Sequence, residues 1–352
     1  MDVQETPDAF CAIERQLASI TRFTGVHRIA RGFSFEQKYL LECGNRQYLA
    51  RIVAEAGPAI IAAKKAEFEI IRSLKKYSAF VPDAYAFGTS DDRSVCFMVL
   101  GYIPGTDGEE ALQGLCEADQ YRLGIMAGKE LINLHAMPAP AGLPDWYEAV
   151  RRKYFRKCAA FGSCGLELPG IDLRNLTDFI TKNTACIRGT RRVFLHDDYH
   201  PANLVVADAQ LVGIIDFNRY DWGDPVHDFV KTAFFTRAIS VPFAAGLVEG
   251  YNGGSPPPEF WKRYALYCAM ALVPDLLWSH DYEAKTGKPG EVERATKRIR
   301  MVYEDHEGFA TDIPRWYRGF AGQENAGRPL GGKIPGPAVC VPGNPQAGNT
   351  GD

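Results

Sequence analysis

The chain has 352 residues, 46% of them hydrophobic and 24% charged, with a formal charge of −3 at pH 7. That length leaves room for two domains of about 100–200 residues and a substantial core. The near-balanced charge excludes a strong electrostatic pull toward nucleic acid or an anionic membrane, and no apolar run approaches the roughly 18 residues of a membrane span. Residues 1–10 are acidic and polar, unlike a secretory signal. Nine scattered cysteines without a C-x-x-C motif predict free thiols in a reducing cytoplasm.

Taken in order, residues 1–24 predict a helix, with Phe10, Ile13, Leu17 and Ile20 at helical spacing. Arg28 to Leu41 and Gln47 to Val53 read as two strands around the turn Cys43-Gly44-Asn45. Gly57-Pro58 opens a helix to about Tyr77, because proline is tolerated in a first turn. On its apolar stripe Glu67 is the odd member, and a buried carboxylate needs a partner. Val95 to Leu100 is a further strand, ended by Ile103-Pro104-Gly105. Asp119 to Ala136 is an amphipathic helix that stops before Pro138, and a charged helical stretch follows to about residue 185.

Past the short strand Val193-Phe194-Leu195 lies the most informative segment. Leu204–Val206 and Leu211–Ile215 are apolar arms around the polar turn Asp208-Ala209-Gln210, which predicts a hairpin. Asn203 lies six residues before Ala209 and Asp216 seven after it, so both fall at the open end of that hairpin. Paired strands are about 4.8 Å apart. Two oxygen-bearing side chains at that separation suit Mg²⁺, which takes the rest of its shell from water and substrate phosphates.

Asp198, five residues before Asn203, enters the same mouth and is placed to orient a hydroxyl toward phosphorus. His196 reads as a brace for this loop rather than a chemical participant. A His-x-Asp-x-x-x-x-Asn loop followed by a strand-borne Asp is the arrangement of protein-kinase-like phosphotransferases. From Pro242 to Tyr317 the pattern is mostly helical, and Gly319 to Asp352 reads as a Gly/Pro-rich disordered tail.

On His196, Asp198, Asn203, Ile215-Asp216-Phe217, Gly223-Asp224-Pro225 and Asp228, the chain resembles the aminoglycoside phosphotransferase and choline-kinase-like small-molecule kinases. The resemblance spans roughly residues 20 to 317. It implies an α+β, bilobal protein-kinase-like fold: a small antiparallel β-sheet lobe over 1–102, a larger, mainly helical lobe over 103–318, then the tail over 319–352. It makes Asp198 the catalytic carboxylate, Asn203 and Asp216 the Mg²⁺ ligands, and Asp228 a brace for the loop. Asp224 has two readings, a helix N-cap or a direct role.

The resemblance also pairs Arg51 on the third strand with Glu67, with Arg51 reaching the phosphates of ATP or GTP. Where this family usually has Gly, the chain has Asp197, which either turns to solvent or raises the pKa of its neighbour. The five-residue spacing to Asn203 favours Asp198 as the catalytic one.

Arg31-Gly32-Phe33-Ser34-Phe35-Glu36 is neither a Gly-x-Gly-x-x-Gly loop nor a Walker A. Taken alone it reads as an ordinary hairpin turn; the resemblance makes Ser34 and Phe35 its contacts for β-phosphate and puts Gly101 and Tyr102 where such kinases hold adenine. The remaining histidines, His135, His227 and His280, read as surface or satisfied core residues, and Phe234, Phe235 and Phe243 as core.

The implied reaction is transfer of the γ-phosphoryl group to a hydroxyl of a small, cationic acceptor. Asp221, Trp222, Asp275, Trp278, Asp281 and Glu283 are its candidate walls. An aminoglycoside-type antibiotic is the favoured acceptor. Choline, an amino sugar, a macrolide or a cationic peptide are alternatives, as is a catalytically silent nucleotide-binding regulator. A protein kinase is disfavoured by the lack of Ala-Pro-Glu and of an activation segment.

Overall fold

A computed structural model of the chain describes residues 36–324, together with 23–29 and positions 10, 13, 14, 16 and 17. The small lobe is a five-stranded antiparallel sheet in the order β1-β2-β3-β5-β4. Its strands are β1 (Gly25–Ile29), β2 (Gln37–Cys43), β3 (Arg46–Val53), β4 (Ala84–Thr89) and β5 (Cys96–Gly101).

The stretch read as one strand from Arg28 to Leu41 is two, because β1 pairs antiparallel with β2 and the chain must reverse between them. β4 has no counterpart in the sequence reading. Gly44, with φ 59°, makes the β2–β3 turn that its sequence announced.

Period-two alternation gives this sheet two faces. Phe97 and Val99 of β5 join Tyr48, Ala50 and Ile52 of β3 in one core, which Phe10, Ile13 and Leu17 cover. Met98 and Leu100 point the other way, to Phe68, Ile71 and Leu74 of α1 (Pro58–Leu74). Arg51, between Ala50 and Ile52, is thereby turned toward α1.

The larger part carries the small sheets β6 (Thr106–Asp107)-β8 (Leu204–Ala207)-β9 (Gln210–Ile214) and β7 (Val193–Leu195)-β10 (Asp221–Gly223). Around them stand α2 (Gly108–Gln113), α3 (Glu117–His135), α4 (Trp146–Ser163), α5 (Leu173–Asn183), α6 (Val241–Asn252), α7 (Pro258–Thr286), α8 (Glu291–Asp305) and α9 (Arg315–Glu324).

Helices α3 and α6 meet almost backbone to backbone. A Cβ on Gly128 would lie 2.2 Å from the Leu247 carbonyl, and one on Gly246 2.2 Å from that of Tyr121, so only glycine fits there. Helix α9 runs past the expected tail boundary at residue 319, with Phe320 buried and stacked on Tyr121 at 5.7 Å. The rest of the expected tail, 325–352, lies outside the described residues, as does Ile20. Among the described residues no helix is long and apolar enough to cross a membrane.

Candidate active site

Strand β7 ends at Leu195, and the loop that follows is held from below. Asp228, 1% exposed, accepts the backbone N–H of His196 at 2.9 Å and that of Asp197 at 2.6 Å. His135 Nε2 lies 3.0 Å from the same carboxylate, which makes it a satisfied core histidine and adds a member of the brace that the sequence reading missed. Asp228 is carried by the 3₁₀ turn Pro225–Phe229, whose N-cap is Asp224: its carboxylate accepts the Val226 N–H at 3.1 Å, and Tyr267 and Arg263 bind it as well. Asp224 is therefore the cap of the two readings.

His196 is fully buried and donates from Nε2 to the Ile215 carbonyl at 3.0 Å. Burial lowers its pKa, so the ring stays neutral and ties the loop to the end of β9.

Asp197 has φ 57°, a backbone region that glycine enters freely and Asp tolerates. Its carboxylate is partly exposed, and that of Asp198 beside it is held low rather than raised. The Asp197 carboxylate lies 3.0 Å from His227 Nδ1; burial pushes its pKa up, and the His227 contact outweighs this and holds it low. The alternative in which it raises its neighbour is thus corrected, because the loop turns its side chain toward the 3₁₀ turn. His227 accordingly belongs to the loop's support.

Asp198 lies at the mouth. Lys231 Nζ stands 2.9 Å from Oδ1 and His200 Nε2 3.6 Å, while Arg219 Nε lies 3.9 Å from Oδ2. Asn203 Nδ2 donates to the Asp198 carbonyl at 2.9 Å and to Oδ2 at 3.3 Å. Burial pushes the carboxyl up, but His200 and Lys231 together hold it far below the usual range. Such a carboxylate is a weak base and a firm hydrogen-bond acceptor, suited to orienting a hydroxyl rather than stripping it early. The sequence reading missed Lys231, Arg219 and His200.

Asn203 and Asp216 fall together as the hairpin count predicts. Leu204 pairs with Ile214, and the Ile215 N–H donates to the Asn203 carbonyl at 3.0 Å. Asp216, with φ 66°, then turns the chain into the 3₁₀ turn Phe217–Arg219. Among the described residues no group of three or more His, Cys, Asp and Glu could hold a metal ion. One amide oxygen and one carboxylate suit Mg²⁺, which takes most of its ligands from water and substrate phosphates.

In the other lobe Arg51 is buried between two acids, with Nη1 2.6 Å from Glu67 Oε1 and Nε 2.6 Å from Glu36 Oε2. Lys64 also pairs with both, at 2.7 Å from Glu67 Oε2. The partner that Glu67 demanded is present, and Glu36 and Lys64 complete a quartet. Lys64 carried a signal, since it lies three residues before Glu67 on the same helix face. Glu36 carried none. Burial works against the Arg51 charge, yet Glu67 and Glu36 outweigh it and hold the guanidinium above its ordinary range; Asp216 adds to this from across the cleft.

Ser34 and Phe35 lie outside the described residues. Gly101 and Tyr102 are placed at the connector, but their backbone N–H groups donate to Asp83 at 2.8 Å and Gln47 at 3.1 Å, so neither donor is free for a base.

The expected acceptor walls divide. Trp278 is 42% exposed, stacks on Tyr282 at 5.3 Å and lies under Arg219, whose Nε is 3.9 Å from Asp198. Asp275 is bound by Arg298 at 3.0 and 3.1 Å, Glu283 accepts the Val292 N–H, and Asp221 accepts the Trp222 N–H. Phe234 and Phe243 are core, whereas Phe235 is half-buried and carries Lys231, Arg298 and His200 on its ring.

A five-stranded sheet with a buried Arg–Glu pair, joined to a helical part with a braced His-x-Asp-x-x-x-x-Asn loop and a hairpin-borne Asp, defines a kinase-like fold of small-molecule phosphotransferases. A family model described as "Phosphotransferase enzyme family" (APH) matches residues 25–266, and the chain belongs to that family.

Among solved structures it is similar to the streptomycin–ATP–APH(2")-IIa ternary complex (17% identity, 87% of this chain and 97% of that one, TM-score 0.57). It is also similar to a thermostable mutant of aminoglycoside phosphotransferase APH(4)-Ia with ADP and hygromycin B (14%, 83% and 98%, TM-score 0.61). A third is the GDP complex of wild-type aminoglycoside 2'-phosphotransferase-IIIa (16%, 84% and 97%, TM-score 0.59). At these identities the likeness is one of fold. No curated protein matches the chain.

Proposed function

We propose that the chain transfers the γ-phosphoryl group of ATP or GTP, with Mg²⁺, to a hydroxyl of a small cationic acceptor of the aminoglycoside type. The observation that supports this reading is that Asn203 donates to Asp198 and that its carbonyl accepts the N–H of Ile215, the residue before Asp216, while Asp216 acts electrostatically on the buried Arg51. In it, Asp198 accepts the acceptor hydroxyl, Asn203 and Asp216 hold Mg²⁺, and Arg51, kept in place by Glu67, faces the phosphates. Bound Mg²⁺ would neutralise phosphate charge. The protein supplies position and preformed charge, which is most of what phosphoryl transfer needs.

The acceptor class is supported by similar folds that bind streptomycin and hygromycin B, and by the open Trp278–Tyr282 face. A second reading, a less highly charged amino alcohol or amino sugar, is favoured by Asp275 and Glu283 being already engaged. The described cysteines are all free, in keeping with the cytoplasm.

The test is Mg²⁺-dependent ATP and GTP turnover with a panel of aminoglycosides, amino sugars and amino alcohols. The Asp198→Ala variant should lose transfer while still binding nucleotide. Near-normal transfer in that variant would reject the assignment, and Asp216→Ala with unchanged Mg²⁺-dependent nucleotide affinity would place the metal elsewhere.

A further inference from the structure

In the small lobe, Arg51 and Lys64 face Glu36 and Glu67, so two cations are matched by two carboxylates. At the mouth around Asp198 the cations are part-exposed rather than sealed in. Lys231 lies 2.9 Å from Oδ1 and Arg219 3.9 Å from Oδ2, while Asp197 and Asp275 are also within electrostatic reach of Lys231. The two cations come from separate elements. Arg219 closes the 3₁₀ turn that Asp216 begins, and Lys231 follows the turn that carries Asp228.

Each cation lies over an aromatic ring: Lys231 is 5.2 Å from the centroid of Phe235, and Arg219 is 5.3 Å from that of Trp278. Both side chains keep solvent access, 18% for Lys231 and 43% for Arg219. An ammonium has three donors and a guanidinium five. One carboxylate, already bound by Asn203, cannot occupy them all. Holding the loop does not require them either, since Asp228, His135 and His227 do that from beneath.

We propose that Lys231 and Arg219 form an anion-binding pair beside Asp198, and that the anion they take is the phosphoryl group in transfer. This rests on the reading in which Asp198 meets the acceptor hydroxyl. The hydroxyl oxygen forms its bond to phosphorus as the bond from phosphorus to the nucleotide oxygen breaks, and the hydroxyl proton passes to Asp198. Charge then spreads over the three equatorial oxygens of the moving group, next to a carboxylate that repels it. Cations fixed on both sides of that carboxylate offset the repulsion without reorganising. The same chemistry has a second source, an acidic group on the acceptor itself, and the test separates the two.

The full chain and its Lys231→Met, Lys231→Arg and Arg219→Met variants are compared in acceptor-dependent transfer, in acceptor-free ATP hydrolysis, and in calorimetric binding of inorganic phosphate. Each Met variant should lower kcat about 100-fold, and acceptor-free hydrolysis in parallel, as loss of one preorganised donor does elsewhere. The KM for ATP should stay within about threefold if the interaction belongs to the transition state. Lys231→Arg, which keeps the charge, should recover part of the rate. Phosphate binding should weaken in both Met variants.

Unchanged hydrolysis with a raised acceptor KM would transfer the pair to an acidic acceptor group and overturn the assignment. Unchanged kcat and unchanged phosphate binding would overturn the pair altogether. If the wild-type chain turns over no nucleotide, the kinase reading fails by itself. Loss of phosphate binding in the Met variants would still uphold the anion site.

Discussion

Asp228 accepts the backbone N–H of His196 at 2.9 Å, so a buried carboxylate 32 residues downstream sets the entry of the Asp198 loop. The Asp197 N–H and His135 complete its shell. Replacing it by Ala leaves two buried N–H donors and one imidazole without their acceptor. We expect Asp228→Ala to lower unfolding stability by about 3 kcal/mol, read as the urea midpoint, and to lower transfer even where the protein stays folded. A variant with wild-type stability and rate would show that the loop holds itself.

The Arg51–Glu67–Glu36–Lys64 quartet separates stability from nucleotide binding. Arg51→Met leaves two buried carboxylates to Lys64 alone and should cost about 3–5 kcal/mol. The double variant Arg51→Met, Glu67→Leu removes a charge of each sign and should recover part of that loss. Nucleotide affinity, measured by calorimetry with MgATP, should stay low in both. Recovery of affinity along with stability would make Arg51 a structural residue only.

The acid limb of stability has a histidine component. Burial depresses His306 from an ordinary 6.5 to about 4, and lowers His196 in the same direction. A depressed histidine favours the folded state while neutral. Its contribution is therefore present above about pH 6.5 and is lost as the pH falls toward 4, because the unfolded chain takes up the proton first. We expect unfolding stability to fall by up to about 3 kcal/mol across this window from His306 alone. The His306→Asn variant should have a visibly flatter profile there. An identical slope would assign the acid limb to other groups.

Helix α9 extends the described structure to residue 324. Trp316, Tyr317 and Phe320 are buried, and the Tyr317 hydroxyl donates to Glu249 at 2.9 Å. Truncation after residue 314 should therefore lower the Tm by 10 °C or more, on the order of the loss of three large buried side chains. Truncation after residue 324 removes a segment rich in Gly and Pro with no apolar periodicity, and should leave the Tm within about 2 °C. A large fall in the second truncation would give residues 325–352 a structural role.

What the amino-acid sequence determined by itself was everything that local geometry dictates. The Asn203–Asp216 opposition follows from counting along a hairpin, since strand pairing converts sequence distance from a turn into proximity. The Arg51 orientation follows from period-two alternation against Tyr48, Ala50 and Ile52, and Glu67 declared its need of a partner by standing on an apolar stripe. The tertiary structure decided whatever depends on how separate elements meet. Glu36 reaching Arg51, His135 reaching Asp228, His227 turning Asp197 aside, and Lys231 and Arg219 flanking Asp198 are contacts between segments whose relative placement no spacing encodes. A lone charged residue in a sequence has many available partners; burial and the scarcity of water around it select one, and that selection exists only once the core has closed.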